Sequence, residues 1–271
     1  MSPLGILAGG GPLPGRVAAA AMAAKRAVFI VALRGFAEPA VIGRFPHAII
    51  RMGAAGEILA RLREAGCKDL VLVGPVRRPP LMDLRPDATG ARIMTRIGRA
   101  AFAGDDGLLA AVVRVLGEEG FRVVGAHEIL TEAVGPRGQM GQVPADAGAL
   151  ADIERAAAVV RALGTLDVGQ GCVVQQGVVL AVEAIEGTDA MLARAGALAR
   201  PGPGGVLVKL VKPGQDRRAD LPTIGPATLR AAAAAGLRGI AFEAGGTLLI
   251  DRAACIAEAD VAGLFLLGID P

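Results

Sequence analysis

The 271-residue chain contains no asparagine, tyrosine or tryptophan, a single serine at Ser2, and two histidines, His47 and His127. Most nucleophile-plus-base arrangements therefore lack their parts. Carboxylates, lysine, arginine, threonine and a bound metal remain as the available chemistry. His127, beside Glu128, reads as structural. The three cysteines, Cys67, Cys172 and Cys255, are far apart and show no CxxC spacing. They read as reduced, buried small hydrophobes, with neither a disulfide nor a zinc site expected. Aromatic residues make up 3% of the chain and the formal charge is only +3, with no Lys/Arg run. Few platforms exist on which bases could stack, so no nucleic-acid partner is expected. No apolar run approaches the roughly 18 residues that a membrane-spanning helix needs. Residues 1–8 lack a basic leader and run straight into a strand, so a signal peptide is not expected and a cytoplasmic location is.

What is present is an alternation of strands and helices. Residues 4–8, 28–33, 69–76 and 121–124 read as strands. Residues 16–25, 57–65, 92–102 and 107–116 read as helices, the last led by Asp105-Asp106, whose charge suits a helix start better than a metal. Alternation of this kind predicts a Rossmann-like parallel sheet covered on both faces. Between its first strand and first helix lies Gly9-Gly10-Gly11-Pro12-Leu13-Pro14, which directs backbone N–H groups toward a phosphate or other anion. The spacing is not G-x-G-x-x-G, since position 14 is proline, and no acid follows the second strand to grip a ribose. A dinucleotide cofactor is disfavoured, and a tight turn that binds nothing is the plain alternative. Arg77-Arg78-Pro79-Pro80 and Arg85 lie past a strand's carboxyl end, as phosphate ligands or as a solvated loop. Residues 135–148 are polar, rich in Gly and Pro and without periodicity. They divide the chain into an N-terminal domain, 1–134, a linker, 135–148, and an α+β C-terminal domain, 149–271, with a mixed sheet. The C-terminal domain opens with a helix over 150–163 and a hairpin over 172–182 turning near Gln176-Gly177. The expected active site is the cleft between the two domains.

Two stretches of the C-terminal half concentrate the chemistry. Residues 206–211 read as a buried strand that ends in Pro213-Gly214 and delivers Lys, Gln, Asp and Arg to one loop. Only four lysines occur among the 29 basic residues, and two of them, Lys209 and Lys212, lie here. In an arginine-rich chain that placement points to a phosphate-facing ammonium. An edge strand with a solvated turn is the plain structural alternative. The second stretch carries Glu183, Glu186, Thr188 and Asp189, at a strand end and a helix start. If its strand faces residues 206–211, Glu183 and Glu186 approach Lys209 and Lys212, and such oxygen ligands suit Mg²⁺. A helix cap by Thr188 or Asp189, with Glu183 paired to a lysine, is the competing reading.

Gly9-Gly10-Gly11-Pro12-Leu13-Pro14, the block from Val182 to Leu192, and the run Lys209-Leu210-Val211-Lys212-Pro213-Gly214-Gln215-Asp216-Arg217-Arg218-Ala219-Asp220-Leu221-Pro222 together resemble the LpxI-type UDP-2,3-diacylglucosamine pyrophosphatases of lipid A biosynthesis, in the same order and over nearly the whole chain. The resemblance implies Mg²⁺-dependent hydrolysis of UDP-2,3-diacylglucosamine to UMP and 2,3-diacylglucosamine 1-phosphate (lipid X), by a protein peripheral to the inner face of the cytoplasmic membrane. Joined to the residue reading above, it places Mg²⁺ chiefly on Asp220 with help from Asp216 or Glu183, or else gives Asp220 the task of orienting water. Lys209, Lys212 and Arg217 offset developing charge, and Gly9, Gly10, Gly11, Leu13, Thr188 and Gln215 contact substrate. Two other classes stay open: an ATP-dependent ligase, and a non-catalytic nucleotide-sugar- or lipid-binding protein. Monomer and dimer are equally compatible with the sequence.

Overall fold

The computed structural model describes residues 1–77, 80, 83–98 and 104–270. Its internal contacts divide the chain into two units: Met1–Thr131 with Asp216–Asp220, and Glu132–Gln215 with Leu221–Pro271.

In the first unit the chain runs β1 (Leu4–Ala8), α1 (Leu13–Ala23), β2 (Val28–Leu33), α2 (Pro39–Ile42), β3 (His47–Ile50), α3 (Ala55–Glu64), β4 (Asp69–Val73), α4 (Ala88–Ile97), α5 (Asp105–Glu118), β5 (Arg122–Val123) and α6 (Ala126–Ile129). The strands pair in parallel in the order β3-β2-β1-β4-β5. Successive side chains of a strand point to opposite faces, and the core divides accordingly. Ile6 and Ile30 pack with Val17, Ala18 and Phe45 on the α1 side, whereas Val31 and Leu70 pack with Leu59, Leu62 and Leu116 on the α3/α5 side. Both faces are therefore covered, as a parallel sheet requires. At the strands' amino ends, buried Asp69 accepts hydrogen bonds from Arg26 and Arg122. At the other end, β1 and β4 diverge to different crossovers, and the glycine turn sits at this switch point.

The second unit contains β6 (Gly138–Met140), α7 (Ala147–Gly164), β7 (Gly171–Gln175), β8 (Val178–Val182), α8 (Gly187–Ala197), β9 (Val206–Lys209), β10 (Thr223–Ile224), α9 (Pro226–Ala234), β11 (Gly239–Glu243), β12 (Leu248–Leu249), α10 (Arg252–Ala262) and β13 (Phe265–Ile269). A mixed sheet is ordered β6-β13-β11-β9-β7-β8, and β10 and β12 form a small parallel pair. Strands β9, β11 and β13 are parallel; β6 and β7 run against them. The β7–β8 hairpin turns on Gln176 and Gly177, both left-handed at φ 51° and 76°. Alternation again splits the core, with Leu207 facing α8, α9 and α10 and Val206 and Val208 facing α7.

Several sequence expectations change. The buried strand read over residues 206–211 is present but shorter, and the edge-strand alternative falls: β9 lies between β11 and β7, is buried throughout, and ends at Lys209, where Leu210 N–H bonds Gln170 O outside the ladder. The segment read as a linker, 135–148, contains β6, paired antiparallel with β13. The helix expected over 92–102 starts at Ala88, where Asp87 caps it by accepting from Gly90 N–H; residues 99–102, like Arg78 and Pro79, lie outside the described residues.

Candidate active site

Sheet register builds the centre of the site. Gly171, the first residue of β7, pairs with Lys209, the last of β9, and accepts a hydrogen bond from Glu183 N–H on its other side. Glu183, Gly171 and Lys209 thus form a row across three neighbouring segments of the chain, with the glycine in the middle. A Cβ on Gly171 would stand 2.6 Å from Glu183 Oε2, so the missing side chain is what lets the acid and the lysine approach across it. Lys209 Nζ donates to Thr188 Oγ1 at 2.6 Å, Thr188 Oγ1 donates to Glu183 Oε1 at 2.6 Å, and the ammonium lies 3.8 Å from that same carboxylate oxygen. Thr188 arrives from the first turn of α8, after Gly187 bends the chain at φ 79°. Lys209 is 3% exposed and Glu183 7%. Burial at this depth is tolerable for opposite charges only when they are paired and bridged by polar groups. Glu183 Oε2 is buried with no hydrogen-bond partner among the described residues.

Lys212 follows in a tight turn. Its N–H donates to Gln215 Oε1 at 3.0 Å and its carbonyl accepts from Gln215 N–H at 3.1 Å, around Gly214 at φ 81°. Its ammonium donates to Asp167 Oδ1 at 2.5 Å. Between the two lysines, Val211 N–H donates to Glu243 Oε2 at 3.1 Å, and Glu243, at the end of β11, is itself 4% exposed.

Residues 216–220 count with the first unit. There Asp216 O accepts from the N–H groups of Ala219 and Asp220, closing a turn, and Ala219 packs on the α3/α5 core. Both Asp216 oxygens are held by the Arg218 guanidinium, at 2.9 and 2.7 Å. That grip keeps the Asp216 carboxyl below its usual range. Arg217 and Asp220 are exposed. In the glycine turn, Gly9 N–H donates to Val73 O, Gly10 N–H to Pro75 O and Gly11 N–H to Glu38 Oε1. A Cβ at Gly9 would fall 2.4 Å from Gly74 O, so this glycine is required for the turn to close against the end of β4. These N–H groups hold the protein's own oxygens, whereas the sequence reading aimed them at substrate. Leu13 is the first residue of α1.

Of the residues singled out in the sequence, the structure brings together Glu183, Thr188 and Lys209, and separately Lys212 and Gln215. Glu186 does not join a lysine: it binds Arg194 at 2.6 Å, because β7 intervenes between β8 and β9 and only the residue next to Gly171 can reach across. Asp216 and Asp220 count with the first unit and Glu183 with the second, and no group of three or more His, Cys, Asp or Glu placed to hold a metal occurs among the described residues. Asp167 and Glu243 escaped the sequence reading. The signal for Glu243 is its position at the carboxyl end of a buried strand; Asp167 carries none, since its partner lies 45 residues away.

A family model described as the LpxI N-terminal domain matches residues 3–133, and one described as the LpxI C-terminal domain matches residues 136–267. A protein of Caulobacter vibrioides named UDP-2,3-diacylglucosamine pyrophosphatase LpxI is 47% identical over 277 aligned positions, spanning 100% of this chain and 99% of that relative.

Proposed function

We propose the function from one premise, that this chain belongs to the LpxI family, both of whose domains it matches in order. It hydrolyses the diphosphate of UDP-2,3-diacylglucosamine, giving UMP and 2,3-diacylglucosamine 1-phosphate as a step of lipid A biosynthesis. The observation that carries this reading is the 47% identity, end to end, to a relative named for that substrate. The side-chain inventory agrees with it. Hydrolysis adds water oxygen to one phosphorus, the bridging oxygen leaves with the other, and the two protons of the water are released as the two phosphate monoesters ionise. That reaction needs charge stabilisation and an oriented water, which carboxylates, lysines and arginines provide, and it needs no covalent nucleophile.

Mg²⁺ belongs to this proposal. It is typically held by one or two carboxylates together with substrate phosphate oxygens, so a dedicated cluster of acids is not required. Either of two carboxylates fits the part: exposed Asp220, or Glu183, whose buried Oε2 has no partner among the described residues. Asp216 fits less well, with both oxygens on Arg218. When bound, the ion would neutralise charge on the diphosphate. The protein's own residues do the rest. Lys209, fixed through Thr188, and Lys212, fixed through Asp167, supply oriented positive charge, and Arg217 is a third cation of the same proposal. Asp220 orients the attacking water if it is not a metal ligand. Gln215 holds the Lys212 turn in shape, and the amino end of α1 at Leu13, rather than the N–H groups of Gly9 to Gly11, is where a phosphate of the substrate would be favoured.

No helix among the described residues is long and apolar enough to cross a membrane. A doubly acylated substrate resides in a bilayer, so the protein works peripherally at the cytoplasmic face of the membrane. The test is phosphorus NMR of the protein with UDP-2,3-diacylglucosamine and Mg²⁺, beside an EDTA control and Asp220→Ala. UMP and the acylated sugar phosphate should appear, and should vanish with chelation or with the substitution. A diphosphate that persists with untreated enzyme refutes the activity; hydrolysis that survives EDTA refutes the metal.

A further inference from the structure

We infer that Asp167 is a positioning residue for catalysis, which holds the Lys212 ammonium in place without touching substrate; this rests on the proposed role of Lys212 toward the diphosphate. The residue sits in the loop 165–170 that joins α7 to β7, and its backbone is left-handed at φ 54°. A left-handed conformation in a residue with a Cβ costs on the order of 1–2 kcal/mol and persists only where surrounding contacts impose it. Those contacts are on both sides. Asp167 N–H donates to Gly164 O at 3.0 Å and Val168 N–H to Leu163 O at 3.2 Å, tying the loop to the last turn of α7. Gly169 is pressed against the chain at Glu183, where an added Cβ would lie 2.0 Å from the Glu183 carbonyl oxygen.

The same helix end places the lysine. A Cβ on Gly164 would be 2.8 Å from Pro213 Cδ and 3.4 Å from Lys212 Cα and Cγ, so the bare glycine is what lets the Lys212–Pro213 backbone lie against α7. One turn of helix therefore fixes both partners, and the ammonium and carboxylate meet at 2.5 Å. The lysine side chain is 9% exposed and the aspartate 22%, so the pair opens to solvent on the acid's side. A contact made only for stability could be met by an unstrained residue nearby. Here a strained backbone is maintained at a position that meets a lysine next to the row of Glu183 and Lys209, and through Gly169 the same loop buttresses Glu183 as well.

A double-mutant cycle tests the inference, with kcat, KM and the unfolding midpoint measured for the wild-type protein, Asp167→Asn, Lys212→Met and the double variant on UDP-2,3-diacylglucosamine. Asp167→Asn tolerates the left-handed backbone and keeps the volume. It should lower kcat about 10- to 100-fold while KM moves less than about threefold, and should add less than about twofold to the loss already caused by Lys212→Met. Asp167→Gly removes backbone strain and carboxylate together, so it should be at least as stable as Asp167→Asn, which loses the carboxylate and keeps the strain, and equally slow. Three results overturn the inference: an Asp167→Asn rate within twofold of the wild-type value, an equal further loss in the Lys212→Met background, or a slow rate only in variants with a lowered unfolding midpoint. Lys212→Met at the wild-type rate overturns it through its premise, while the activity of the family stands or falls separately on hydrolysis by the unaltered protein.

Discussion

Glutamine at position 183 would change one charge and almost no volume in a deeply buried ion pair of the second unit. Glu183 and Lys209 have side chains only 9% and 4% exposed, and Thr188 bridges them through two 2.6 Å hydrogen bonds. Glutamine can still accept from Thr188, but Lys209 is left as a buried ammonium without a counter-charge. Removing one partner of such a pair costs about 3–5 kcal/mol, whereas replacing both by apolar groups of similar size is often neutral. For a chain of this size each kcal/mol lowers the unfolding midpoint by about 2–4 °C, so Glu183→Gln should fall by roughly 6–20 °C. Adding Lys209→Met should recover most of that loss without restoring activity. With no tryptophan or tyrosine, intrinsic fluorescence reports nothing useful. Calorimetry or far-ultraviolet circular dichroism is the assay. A shift below about 2 °C for the single variant, or a double variant no more stable than the single, would refute the claim that these groups are charged in dry surroundings.

Gly171→Ala sets a methyl group 2.6 Å from Glu183 Oε2; turnover should fall at least about tenfold, with a stability loss of about 1–3 kcal/mol, measured by steady-state kinetics and thermal unfolding. In the first unit, hydrogen bonds from Arg122 and then Arg26 hold the Asp69 carboxyl below its ordinary value. A depressed acid stabilises the fold fully above the unfolded-state value of about 3.9 and loses that contribution as pH falls through the lower native value. Asp69→Asn should thus cost about 1–3 kcal/mol at pH 7 and make unfolding below about pH 4 less steep, as read from urea titrations across pH. Burial pushes the Cys172 thiol up to about 12, raises Cys67 as well, and leaves Cys255 fully enclosed. A chromogenic disulfide reagent at pH 8 should label no thiol within minutes in the folded protein and all three in urea; rapid labelling of native Cys172 would contradict its burial.

How much of this was legible beforehand follows from the range of each interaction. Apolar runs, alternation and turn residues are local, so the parallel first sheet, the hairpin at Gln176-Gly177 and the buried strand at Val206 could be read directly. Short elements were lost. His47–Ile50 and Thr223–Ile224 hold too few residues to show a period, and Gly138–Met140 is a strand only because β13 offers it an edge. In the candidate site the residue types were visible and the partnerships were not. Glu183 and Lys209 were expected to meet across facing strands; they meet instead over Gly171, in a strand between them. Lys212 was expected to meet glutamates and meets Asp167. The anion-cradle geometry of Gly9 to Gly11 was evident from strand, turn and helix, yet the oxygens that occupy those N–H groups come from Val73, Pro75 and Glu38, two of them on another strand's end.

The assignment of Asp216–Asp220 to the first unit has a consequence for how the protein is made. Synthesis proceeds from the amino terminus at about 5–20 residues per second, and about 85 residues separate Thr131 from Asp216. The nascent first sheet therefore waits some 4–17 s for the segment that brings Ala219 to its α3/α5 core. During that interval the patch Ala219 will cover is open to chaperones and to neighbouring chains. A ribosome that has finished the first family domain has not yet finished the first folding unit.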